Sequence, residues 1–206
     1  MVAPRMTAAD RQRQLVQTAV ELAEQSGFAA FSMRDVASAA GVSLGTLQHF
    51  FPSKDGLIRA VALSLADQVV QVASALPDVS SKLRGLAALE ELLNQAIEGW
   101  WSIISSTPKR RLVTYEIATG AVRGGGDVRA TALTQYRLNT RYVTTMIASC
   151  ADVAGVTWSA DVEEVGLLAM NYLDGYVLRW LLEPDSPHLT SQRRTLVRAI
   201  VGLAVE

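Results

Sequence analysis

The stretch Ser32-Met33-Arg34-Asp35-Val36-Ala37, continued by Ala40-Gly41-Val42-Ser43-Leu44-Gly45-Thr46-Leu47-Gln48-His49-Phe50-Phe51-Pro52-Ser53-Lys54, leaves few folds open to this chain. It reads as two short helices joined by a tight glycine turn, with a basic residue opening a further helix. Ser32 can cap the first, and Val36, Ala37 and Ala40 form its inward stripe. Gly41 suits the left-handed position that ends such a helix, where a Cβ would clash. Val42 then plugs the angle between the helices and Ser43 caps the second. Leu47, with Phe50 or Phe51, anchors that helix from below, so Leu44, Gly45, Thr46, Gln48 and His49 face outward. A small helix held out from a bundle in this way fits a DNA major groove.

Composition supports a helical reading but does not by itself announce a nucleic-acid partner. Half of the 206 residues are hydrophobic, enough for a sizeable core, and glycine and proline sit at helix boundaries. Alternating strand-like runs are absent, so the expected class is all-α. Net charge is -1. Residues 1–59 carry Arg5, Arg11, Arg13, Arg34, Lys54 and Arg59 against Asp10, Glu21, Glu24, Asp35 and Asp55, so DNA binding would depend on where a few cations lie. Cys150 is the single cysteine, which excludes an internal disulfide and agrees with a cytoplasmic setting. Its neighbours Met146, Ile147, Ala148 and Val153 favour a small buried hydrophobe over a redox-sensing thiol. No apolar run reaches membrane-spanning length and the amino terminus lacks a signal-type apolar region, so no membrane partner is expected.

The breakers divide the chain into about nine helices. Thr7 with Asp10 starts the first, which ends at Gly27, and Phe28 and Phe31 are expected to pack beneath the hairpin. A fourth helix should run from Lys54 to about Leu76, where Pro77 stops it, and a body begins near Ser81. Thr107-Pro108 and Gly124-Gly125-Gly126 interrupt the body, Asp127 can cap a long helix to Ala154, and Ser159 is expected to cap the next. That helix stops at Glu183-Pro184, and the last, beginning at Thr190 or Ser191, should continue to the end of the chain. The expected organisation is a helix-turn-helix head over residues 1–53, a linking helix and loop over 54–80, and a helical body over 81–206.

From about Gln12 to Leu63 the motif resembles the amino-terminal domain of the TetR (tetracycline-repressor-like) family of bacterial transcriptional regulators. The resemblance implies double-stranded DNA with a palindromic operator as partner, a homodimer, and a small-molecule effector. It places Leu44 and Gln48 towards base edges and brings Thr46 and the backbone near Gly45 and Ser43 to the DNA. Arg34 reaches a phosphate or a base, and Lys54 grips a phosphate at the positive end of its helix. His49 falls where the family often has an aromatic residue or histidine. Gln48 departs from the family's usual tyrosine, and glutamine can bond adenine bidentately or make a weaker phosphate contact.

The body supplies the candidate ligand residues Trp100, Trp101, Ile104, Tyr115, Glu116, Tyr136, Met146, Met170 and Asn171, a set of large adaptable side chains with few polar groups. Glu116 would either meet a cationic effector or pair with Arg123, Arg137 or Arg141, and Asn171 would either orient a ligand or bond backbone. Between 162 and 182 apolar residues fill more than one stripe, which fits a helix either deeply buried or shared with a second subunit. The expected dimer contacts are Val165, Tyr172, Tyr176 and Trp180, with Leu196, Ile200 and Leu203 from the last helix. His49 and His188 are the only histidines, and no metal-ligand or nucleophile motif is present, so neither enzyme activity, metal nor cofactor is expected. The rival to a ligand-responsive repressor is an effector-blind architectural or adaptor protein that binds DNA.

Overall fold

The computed structural model describes residues 6–27, 29–73 and 84–206, with the side chains of 66–73 outside the description. Phe28, Leu76, Pro77 and Ser81 therefore lie outside the described residues. Among these residues the fold is all-α, with nine helices and one two-residue strand pair. They form two compact units, residues up to 67 with 109–135, and 68–108 with 136–206. The helices α4 (Lys54–Ala73) and α7 (Gly126–Ala154) contribute residues to both.

In the first unit α1 (Ala8–Ser26) starts where the Asp10 amide donates to the Thr7 hydroxyl at 3.1 Å. Leu15, Val16, Ala19, Val20 and Ala23, two neighbouring rows at i, i+3 and i+4 spacing, are its buried stripe. The helix α2 (Met33–Ala39) carries a full capping box: the Ser32 amide donates to Asp35 Oδ2 at 2.7 Å, and the Asp35 amide donates back to Ser32 Oγ at 3.3 Å. Those Ser32 bonds, backbone first and hydroxyl second, hold the Asp35 carboxyl below its usual pKa. Gly41 turns the chain at φ 66°, and the Val42 amide closes the turn on the Ala37 carbonyl at 2.9 Å. Ser43 then caps α3 (Leu44–Phe50), accepting from the Thr46 amide at 3.1 Å. Leu47 is fully buried and Phe51 nearly so, joined in one core by Leu57, Val61 and Leu65 of α4. The helix α6 (Pro108–Gly124), expected as part of the body, adds Val113 and Ile117 to this same core. It is also tied to α1 through Arg110 Nε and Glu24 Oε1 at 2.6 Å.

The second unit packs α5 (Gly85–Ser106) with the later part of α7, α8 (Val162–Leu182) and α9 (Leu189–Val201) around Leu89, Leu93, Ile147, Val165 and Val197. The helices α7 and α8 meet so closely at Gly166 that a Cβ there would collide with Thr144. Cys150 is buried in this core, and burial pushes its thiol up to about 11, so the packing reading of that residue holds and a reactive thiolate does not. Several boundaries differ from expectation: α7 starts at Gly126, so Asp127 lies inside its first turn, and α9 starts at Leu189 rather than at Thr190 or Ser191. Asp161, not Ser159, caps α8, because its carboxylate accepts from the Glu163 amide at 2.9 Å while the Ser159 hydroxyl is bonded to the Leu203 carbonyl at 2.7 Å. That bond flanks a short antiparallel pairing of β1 (Thr157–Trp158) with β2 (Ala204–Val205), and α9 ends at Val201 rather than running on.

A polar knot crosses this unit. Arg193 on α9 is buried and donates to both carboxylate oxygens of Glu98 on α5, at 2.9 and 2.8 Å, and to the Tyr176 hydroxyl on α8 at 2.7 Å. Its guanidinium lies 4.9 Å from the Trp101 ring centre, and Trp101 meets Tyr176 and Trp180 edge-on at 5.1 and 5.0 Å. The geometry is bidentate, so the pair is stronger than a typical surface contact although Glu98 is half exposed. Glu98→Gln should cost about 1–2 kcal/mol in a denaturant titration. A stability unchanged in Glu98→Gln would show the knot to be incidental.

Asp174 on α8 carries a carboxyl that burial raises to about 6. The folded chain thus holds this proton more tightly than the unfolded chain does, and folding is disfavoured by this group as pH rises through about 4 to 6. Asp174→Asn should raise the melting temperature at pH 7.5 and leave it nearly unchanged at pH 4, as measured by thermal scans at the two pH values.

Candidate nucleic-acid interface and ligand cavity

The helix α3 presents one exposed face. Gly45, Gln48 and His49 are exposed, whereas Leu44 and Thr46 are half-buried at its edges. The Thr46 hydroxyl is 2.9 Å from Ser43 Oγ, so both side chains are engaged in the helix start, and their closest offering to a ligand is the turn they stiffen. The Gln48 amide has no hydrogen-bond partner among the described residues and stands clear of the core. His49 packs edge-on to Phe50 with ring centres 5.4 Å apart, which restrains it while leaving it exposed. Arg34 lies exposed on α2, and Asp35, a candidate partner for it, is turned instead into the Ser32 capping box.

Lys54 is less exposed than the sequence suggests. Its ammonium donates to the Phe31 carbonyl at 2.7 Å and lies 5.1 Å from the Phe31 ring centre. An ammonium has three donors, so this bond positions the group and leaves two protons for an anion. Only the chain's return over Phe31 reveals that anchor, and no local spacing signals it.

The second unit contains a cavity of about 510 Å³ bounded by α5, α7, α8 and α9. Two of the expected ligand residues, Trp100 and Met146, line it, with Ile97, Tyr142, Leu173 and Ile200. Trp101, 100° round the helix from Trp100, turns to the Arg193 knot instead. Ile104 is buried and Met170 packs on the core, yet neither lines the cavity; nor does Tyr136, while Asn171 is exposed on α8. Tyr115 and Glu116 belong to the other unit, where the Glu116 carboxylate lies beside Gly27. The walls from α9 were not anticipated as ligand contacts. Leu196 and Ile200, expected at a dimer interface, are buried within this chain and line the cavity.

The other expected dimer contacts are similarly placed. Val165, Tyr176 and Trp180 are buried within the single chain, Tyr176 donating to the Leu189 carbonyl at 3.2 Å and Tyr172 to the Gln192 carbonyl at 3.0 Å. Leu203 is half-buried against the same core. The exposed stripe of α8 is instead Leu168, Asn171, Gly175, Leu178 and Leu182. Among the described residues no three His, Cys, Asp or Glu side chains are disposed to hold a metal, and no helix is long and apolar enough to cross a membrane.

Comparison with known proteins agrees with this geometry. Residues 15–61, which take in the later part of α1, the hairpin and the start of α4, match the family of bacterial regulatory proteins called tetR. The chain is similar to the HTH-type nicotine-responsive transcriptional repressor HdnoR of Paenarthrobacter nicotinovorans, at 25% identity over 89% of this chain and 90% of HdnoR. It is also similar to the HTH-type transcriptional regulator BetI of Paraburkholderia phytofirmans, at 29% identity over 51% of this chain but only 60% of BetI. Among solved structures, a TetR transcription regulator from Haloarcula marismortui superposes with a TM-score of 0.75 at 17% identity, covering 96% of this chain and all of the other. A putative TetR-family regulator from Rhodococcus gives 0.74 at 20% identity, covering 95% and 98%.

Proposed function

Since the chain belongs to the TetR family of bacterial transcriptional regulators, we propose that it is a dimeric repressor that releases a palindromic operator when a small, largely apolar molecule enters the second unit. The observation that carries this reading is the exposed face of α3, where Gln48 and His49 project from a helix pinned beneath by Leu47. In this reading residues 1–53 are the DNA-binding part, 54–80 the link, and 81–206 the effector-binding and dimerisation part. Lys54 holds a phosphate and Arg34 a phosphate or a base. Leu44 and Gln48 project towards base edges, where Gln48 either reads a base or holds a phosphate, and Thr46 and the backbone near Gly45 approach the DNA. HdnoR is named a nicotine-responsive repressor, and the cavity supports a small-molecule input of some kind here over an effector-blind adaptor. A molecule that binds one arrangement of the body better than another shifts the balance between them. The helices α4 and α7, which contribute to both units, carry that shift to the head.

The dimer forms through the α8 stripe of Leu168, Asn171, Gly175, Leu178 and Leu182, because the residues that would otherwise serve are already buried inside one chain. A lone seven-residue recognition helix covers too little DNA to be specific, so a second copy supplies the other half-site. Leu178→Glu should leave the melting temperature within a few degrees of wild type but give a monomer in sedimentation and lose operator binding. A wild-type chain that sediments as a monomer at micromolar concentration contradicts the dimer.

DNA binding is tested by gel shift on the promoter beside its own gene. Lys54→Met should weaken binding to all sequences alike and reduce the salt slope by about one unit. It should also cost about 1 kcal/mol of stability through the lost Phe31 bond. Gln48→Ala should either relax discrimination at one base pair, which assigns base reading, or weaken all sites equally, which assigns a phosphate contact.

A further inference from the structure

We propose that the cavity of the second unit selects uncharged ligands that accept a hydrogen bond from the Tyr142 hydroxyl, a choice that rests on the effector reading above and narrows it to one chemical class. No side chain that lines the cavity carries a charge at neutral pH. Of the acidic residues on α5, Glu98 is held by both arms of Arg193 and Glu91 is bonded to Gln95, and neither lines the cavity. A protonated amine entering here would leave its water without meeting a carboxylate. Neutral oxygens of Tyr142, Ser102 and Gln95 and the ring faces of Trp100 and Tyr142 offer it only partial compensation for a lost hydration shell.

Tyr142 supplies the polar anchor. It is half-buried on α7, its hydroxyl has no hydrogen-bond partner among the described residues, and burial raises its pKa so that the proton stays on the oxygen. A phenol in this state donates to a carbonyl or ether oxygen. The remaining polar groups lie at the rim, where Gln95, Gly99 and Ser102 form one exposed stripe of α5. Gln95 is already bonded to Glu91 at 2.7 Å. Gly99 gives the mouth its width: a Cβ there would meet no atom within 4 Å, and its backbone is ordinary helix.

Three probes of matched size separate the possibilities by calorimetry on the full chain at pH 7: 3-methylbutylbenzene, 4-phenylbutan-2-one, and protonated 4-phenylbutan-2-amine. The ketone should bind about tenfold tighter than the hydrocarbon and tighter still than the ammonium. Tyr142→Phe should bring ketone and hydrocarbon to equal affinity while leaving the hydrocarbon's own affinity unchanged. Gly99→Leu should fold with an undiminished melting temperature and weaken all three by about tenfold or more, since the new side chain grows into open space. An ammonium that binds as well as the ketone overturns the proposal, as does a ketone preference that survives Tyr142→Phe, wild-type affinity in Gly99→Leu, or no binding of any probe. Ketone binding with this pattern but no effect on DNA affinity would uphold the site and overturn only the effector reading.

Discussion

The head depends on the burial of Leu47. A seven-residue helix cannot pay for its own nucleation in water, so α2 and α3 exist only because their caps and their apolar undersides are fixed by neighbours. Ser32 and Ser43 satisfy the helix starts, Gly41 reverses the chain, and Leu47 and Phe51 seat α3 on α1 and α4. Full burial of a leucine contributes about 2 kcal/mol, a large share for so short a helix. With the underside fixed, the outer face is free to be polar and small, and that is the face a groove would meet. Lys54 extends the same logic, since the carbonyl that orients its ammonium belongs to Phe31, a residue buried in the same core.

The second unit is ordered differently, by one buried guanidinium. Arg193 draws α5, α8 and α9 together through Glu98, Tyr176 and Trp101, and a charge so enclosed is tolerated only because its partners are placed around it. On the same α5 the next residues along the opposite face, Gly99 and Trp100, border open space. One helix therefore carries both the unit's firmest cross-link and its cavity wall, and the spacing of Glu98, Gly99, Trp100 and Trp101 divides the two roles around its circumference.

Much of this was legible in the sequence because it is local. The Thr7, Ser32 and Ser43 caps, the Gly41 turn, the break at Thr107-Pro108 and the stop at Glu183 are each determined within a few residues, and each occurs as the spacing implied. What was not legible involves partners far along the chain. Arg193 and Glu98 lie 95 positions apart and the Ser159 hydroxyl finds its acceptor 44 positions away, so neither spacing nor propensity could signal them. Two apolar stripes on α8 were evident, but a helical pattern does not say which stripe meets its own chain. Tyr176 and Trp180 face inward because Trp101 and Arg193 are there to receive them. Likewise an apolar residue pattern on α6 could not reveal that Val113 and Ile117 complete the head's core, which takes Glu116 away from the cavity and sets it beside Gly27.

The central claim is that α3 is a recognition helix used in pairs. A hydroxyl-radical footprint of the full chain on its own promoter tests it most directly. Two protected patches on one face of the duplex, symmetric about a dyad and with centres about 34 Å apart or a multiple of that, are the predicted result. A single patch, or protection that persists unchanged in Gln48→Ala and Lys54→Met together, would contradict it.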